Sequence, residues 1–176
     1  GDLICLLDSD DFFHKKKIIE ILNFFDKNKK KNFLQNLPIL LKENKKIFKM
    51  NLNSSLSFWP YLAPESCISF RRLFMKIFIK KNKIHKNKFP SVWLGFRLGI
   101  FSYFREKSFS TINKNLTYYR SYGESKKYPI FGINWFARRL DSFMYLHKIT
   151  NNKISNKFNI DYLITLTLVK ILNFIK

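Results

Sequence analysis

The residues best suited to chemistry stand near the start of the chain, where Asp8-Ser9-Asp10-Asp11 sets three carboxylates within four positions. Asp8 and Asp10 are two residues apart, so an extended backbone would send both side chains from one face. Paired carboxylate oxygens suit a hard divalent cation, Mg²⁺ or Mn²⁺. A cation held there can bridge to a diphosphate and neutralise charge on a departing phosphate. Two bare carboxylates so close repel one another, and a bound cation relieves that repulsion. The competing explanation is a capping turn with surplus acid, because D-x-D is a short pattern and Asp11 stands where it would cap a helix.

The neighbouring elements favour the chemical reading. Leu3 to Leu7 is a continuous apolar run, as expected of a buried strand in a parallel or mixed sheet. After the acids, Ile18, Ile21, Leu22 and Phe25 recur at helical spacing with Lys and Glu between them. Strand, acidic turn and helix together put the carboxylates at the carboxyl edge of a sheet, where open α/β folds bind ligands. Further on, residues 32–58 read as mixed helix and loop, and the Pro residues around Trp59 to Ser66 mark a loop. Cys67 to Phe70 reads as a strand entering a helix over 71–80. Residues 91–104 form an apolar, aromatic helix that should be buried. Phe109 to Tyr119 reads as strand with a turn at Asn113-Lys114-Asn115. Helices are expected over 133–149 and 160–175, joined by a polar linker.

Composition bears on partners. Against 12 Asp and Glu stand 33 Lys and Arg, a formal charge of +21 that favours anionic partners. The accompanying wealth of Asn, Ile and Phe, all with AT-rich codons, offers genome composition as an equal explanation. Cys5 and Cys67 are the only cysteines; with no CxxC or Cys/His spacing they read as buried free thiols in a reducing compartment. His14, His85 and His147 are scattered and read as surface or structural. The chain opens on Gly1 in a strand-like run without a signal peptide, so it reads as the C-terminal portion of a longer protein.

"GDLICLLDSDDFFHKKKIIEILNFF" resembles the D-x-D segment of family 2 glycosyltransferases, with Gly1, Asp2, Ile4, Leu7, Asp8, Asp10 and Asp11 matching the pattern. "WPYLAPESCISFRR" is similar to that family's acceptor-side loop and strand, and "WLGFRLGIFSYFREKSFSTINKNLTYYRSYGES" to its downstream helix, strand and closing LxYYR motif. The resemblance spans most of residues 1–145. It implies an α/β fold, a partial GT-A domain over 1–125 with a Rossmann-like mixed sheet flanked by helices, then a C-terminal helical extension over 126–176. It also implies inverting transfer from a nucleotide-diphosphate sugar donor to a glycan or lipid-linked acceptor, assisted by Mn²⁺ or Mg²⁺. Asp10 would be the principal metal ligand, Asp8 would approach the donor's ribose or sugar, and Asp11 would stand behind them or cap the helix. Arg120, after Tyr119, would reach the diphosphate.

Two departures stand out. The family's opening V-S-V-I-I-P-x-Y-N-like strand has no counterpart, so the nucleotide-binding half is missing. The acidic base of an inverting mechanism has no counterpart in "FPSVWLGFRLG", where Ser91, Trp93 or Gly95 falls in its place; Glu65 is the nearest substitute and Glu106 another. An inactive homologue is therefore one alternative. A nucleic-acid-binding module is a second, disfavoured because the aromatics follow apolar faces and no RNP-like or zinc-finger pattern occurs. A membrane-surface protein is a third, and it is compatible with the enzyme: "IDYLITLTLVKILNFIK" could lie on an anionic bilayer or pack as a C-terminal helix. The expected location is the cytoplasm, with the inner face of the cell membrane as the place of any peripheral contact.

Overall fold

The computed structural model describes residues 1–42, 45–49, 58–83, 88–120, 132–153 and 159–174. His85, the polar loop after Arg120 and residues 154–158 of the expected linker lie outside the described residues.

The protein is a mixed α/β structure. Its strands are β1 (Leu3–Cys5), β2 (Phe12–Phe13), β3 (Phe33–Lys42), β4 (Lys45–Lys49), β5 (Ile68–Arg71) and β6 (Thr111–Arg120). The described α-helices are α1 (Lys17–Lys27), α2 (Arg72–Asn82), α3 (Leu94–Ile100), α4 (Ile133–Ile149) and α5 (Ile160–Phe174). Five strands run in the order β1-β5-β3-β6-β2, and β4 adds to the free half of β3 beyond β5. Among the described strands only β3 and β6 pair in parallel; the other ladders are antiparallel.

Alternation along the strands decides which side chains face which layer. Leu34, with Leu3, Cys5 and Ile112, packs under Ile21, Phe24 and Phe25 of α1. Phe33, with Ile4, Ile68 and Phe70, faces the larger core, where Phe74 and Phe78 of α2, Phe96 and Phe101, and Phe143, Tyr145 and Leu146 of α4 converge. Much of the phenylalanine is spent here. The sheet is thus a middle layer, with α1 on one side and α2, α3 and α4 on the other.

Several expectations change. β1 is a strand, but it is an edge strand paired antiparallel to β5 and only half-buried. Residues 33–42 and 45–49 are strands and not mixed helix and loop. Pro38, which lacks an N–H, stands inside β3 beside two register shifts of its ladder with β6, one on each side of Leu37. The expected turn at Asn113-Lys114-Asn115 is the same irregularity. Pairing jumps from Asn36↔Ile112 to Leu37↔Asn115, and β6 continues through it. Helix α1 begins at Lys17, with His14 Nδ1 accepting the Lys16 N–H at 3.2 Å, so Asp11 does not cap it. The helices expected over 71–80 and 133–149 are present, α5 covers 160–174 of the last one, and the helix expected over 91–104 is the mostly buried α3 over 94–100 followed by a π-helical turn over 101–105.

Candidate functional site

β1, β3 and β6 point the same way, so their carboxyl ends share one end of the sheet. The turn at residues 8–11 follows β1 there, Glu65–Cys67 leads into β5 there, and Arg120 ends β6 there. β1 and β2 occupy opposite edges, yet six residues join them. In a flat five-strand sheet those edges would lie about 19 Å apart, a long reach for a link that contains a turn. The sheet is curled instead. Ser66 O, ahead of β5, accepts a hydrogen bond from Thr117 Oγ1 of β6 at 3.2 Å, although β3 separates the two strands.

Lys17 sits under this closure, fully buried. Its Nζ donates to Ser66 O and, at 2.9 Å, to Thr117 Oγ1, and it lies 3.8 Å from the centre of the Phe13 ring. Asn36 Nδ2 also donates to Thr117 Oγ1, at 3.0 Å. Burial pushes the Lys17 ammonium down to about 8, against the opposing pull of the Asp11 carboxylate. Cys67 is fully buried beside it, and burial pushes its thiol up to about 12. That thiol is therefore protonated near neutral pH and packs as a small apolar group.

The acidic turn rests on this seam. Asp8 N–H donates to Ser66 Oγ at 2.9 Å, Leu6 N–H to Ile68 O at 3.0 Å, and Asp11 N–H to Asp8 O at 3.2 Å. The last of these bonds closes a turn, so Asp8 and Asp10 are turn residues and not alternate positions of an extended strand. Both are exposed. Asp11 is buried and accepts the Arg120 N–H on Oδ1 at 2.9 Å; its Oδ2 is buried without a hydrogen bond of ordinary geometry. Burial raises the Asp11 carboxyl, against the Ser66 hydroxyl and the Arg120 N–H, which lower it; the charges of Asp10 and Asp8 add to the rise. In place of a helix cap, Asp11 ties the acidic turn to the end of β6.

Arg120 is half-buried, with its guanidinium carbon 5.5 Å from the centre of the Phe12 ring and its Nε buried without a partner. Phe12 in turn stacks on Tyr118 at 4.5 Å. Glu65 accepts the Gly95 N–H on Oε1 at 2.8 Å, at the start of α3. Gln35 holds the loop that delivers it, taking the Ala63 N–H at 2.9 Å and donating to Tyr61 O at 2.8 Å. Asp8, Asp10, Glu65 and Arg120 therefore belong to one end of the sheet. Glu106 precedes β6 and lies at the other end of that strand from Arg120.

Among the described residues, no cluster of three or more His, Cys, Asp or Glu converges as a metal site. Asp8 and Asp10 are exposed carboxylates of one turn, a donor type that would suit Mg²⁺ or Mn²⁺ with waters and phosphate completing the shell. Lys17, Ser66, Asn36 and Thr117 were missed as site-builders. The signal for Lys17 was present, since it stands four and eight residues before Ile21 and Phe25, on the buried stripe of α1. No protein-family model matches the chain, and no match was found among curated proteins. No described helix is long and apolar enough to cross a membrane.

Proposed function

We propose that this chain carries the metal-binding part of a GT-A-type glycosyltransferase of family 2, which moves a sugar with inversion from a nucleotide-diphosphate donor to a glycan or lipid-linked acceptor. One observation supports this above all: the Asp8–Asp11 turn, the Glu65-Ser66 corner and Arg120 meet at the carboxyl end of β1, β3 and β6.

In this reading Asp10 and Asp8 would hold Mn²⁺ or Mg²⁺, which when bound offsets negative charge on the diphosphate. Arg120 pairs with diphosphate oxygens. Glu65 takes the proton of an acceptor hydroxyl. The acceptor oxygen then bonds to the sugar's anomeric carbon as the bond to the diphosphate breaks, and the diphosphate leaves with the electron pair. Asp11 and Lys17 touch no substrate; they position the turn. The proposed location is the cytoplasm.

Paramagnetic resonance of Mn²⁺ tests the donor set. With pyrophosphate present, the wild-type chain is expected to remove Mn²⁺ from the free signal, and Asp10→Asn to weaken that uptake at least tenfold. Equal uptake by both proteins would refute the metal assignment.

A further inference from the structure

We propose that the outer face of α5 docks the chain on an anionic membrane surface. This inference rests on the helix alone and stands whether or not the chain transfers sugars. One side of α5 is engaged: Tyr162 meets Phe143 edge-on at 5.5 Å, Thr165 is buried, and Asp161 is ion-paired with Arg139 of α4. The other side is exposed and mostly apolar. Ile160, Leu163, Ile164, Thr167 and Ile171 recur at the spacing of a single helical face, and Ile160 and Ile164 are 74% and 55% exposed. A contiguous apolar stripe of this kind marks a contact surface.

Charge selects the occupant. Lys170 lies on the stripe itself and is exposed, as are Lys148 in the last turn of α4 and Lys153 just beyond it. The acids of these two helices face inward, Asp141 bonded to Ser91 and Asp161 paired with Arg139. The exposed charges of these two helices are therefore basic, on a chain of net charge +21. An apolar face beside exposed lysines matches acyl chains beneath anionic headgroups. At fifteen residues α5 is about 22 Å long, which suits a helix lying in the interface plane.

Flotation of the 176-residue chain with vesicles tests this. Vesicles mixing phosphatidylglycerol and phosphatidylcholine are expected to carry the wild type upward, and vesicles of phosphatidylcholine alone to leave it behind. The triple variant Ile160→Ser, Ile164→Ser, Ile171→Ser keeps every charge, so it separates the stripe from the general basicity of the chain. It is expected to bind at least tenfold more weakly, with an unchanged circular dichroism spectrum. Lys170→Gln should weaken binding by a smaller factor. Equal flotation of wild type and triple variant would overturn the proposal. So would equal binding to both vesicle types, or self-association through the stripe in sedimentation equilibrium without vesicle binding.

Discussion

Replacing Lys17 by Met removes the one ammonium from the seam that closes the sheet, and its effect should depend on pH. The side chain is fully buried, and burial holds its proton affinity down to about 8 against an ordinary 10.5. Below about pH 8 the amine is charged in both the folded and the unfolded chain, and folding must desolvate that charge. Between about 8 and 10.5 the unfolded chain binds the proton that the folded chain has released, so stability rises with pH. The rise amounts to about 3 kcal/mol, at about 1.4 kcal/mol for each pH unit between the two values. Met has similar length and no charge. Ser66 O keeps the Thr117 hydroxyl as donor, and Thr117 Oγ1 keeps Asn36 Nδ2, so the variant should fold. Urea unfolding of wild type and Lys17→Met at intervals from pH 7 to 10.5 measures the effect. Other lysines and the tyrosines titrate in both proteins and cancel in the difference. The wild type should gain on the variant by about 3 kcal/mol across this window. A difference that stays flat would refute the buried-ammonium argument.

The neighbouring residues carry predictions of their own. Asp11→Ala removes the acceptor for the Arg120 N–H and should cost about 1–2 kcal/mol in thermal unfolding. Asp11→Asn keeps an oxygen there and discards a buried charge, so it should melt at or above the wild-type temperature. Glu65→Gln retains the cap on Gly95 N–H, whereas Glu65→Ala should lose about 1 kcal/mol by denaturant titration. If Glu65 is the base, turnover falls in both variants, although only the alanine protein is destabilised. At Gly95, an added Cβ would come within 2.8 Å of Glu65 Cγ and 3.2 Å of Ile68 Cδ1. Gly95→Ala should therefore lose about 1–2 kcal/mol through overpacking, despite the better helix propensity of alanine; chemical denaturation measures it.

The long periodic helices were legible because their apolar faces repeat over many residues, as in α4 and α5. The short elements were not. β2 is two residues long and exists because Phe12 and Phe13 find Tyr118 and Thr117 a hundred residues away. β3 read as mixed helix and loop because its partners are distant in sequence: β5 about 35 residues on and β6 about 75 residues on. At the candidate site, Asp8, Asp10, Glu65 and Arg120 were named from residue type and resemblance, and the fold brings them to one end of the sheet. Of the two readings of Asp11 the helix cap failed, since local spacing pointed to the next helix while the fold supplied the Arg120 N–H. Lys17 was not singled out in the sequence. Its burial depends on polar partners in β3, β5's approach and β6, and such long-range pairing leaves no local pattern.

In the proposed function, sugar transfer from a nucleotide-diphosphate donor depends on a metal held by Asp10 and Asp8. Its most direct measurement is Mn²⁺-dependent turnover of a panel of such donors by the protein expressed from its whole reading frame, compared with Asp10→Asn. Turnover of at least one donor should require Mn²⁺ and fall at least a hundredfold in the variant, with unfolding of the two proteins alike. Equal turnover by both, or none by the wild type with any donor, would contradict it.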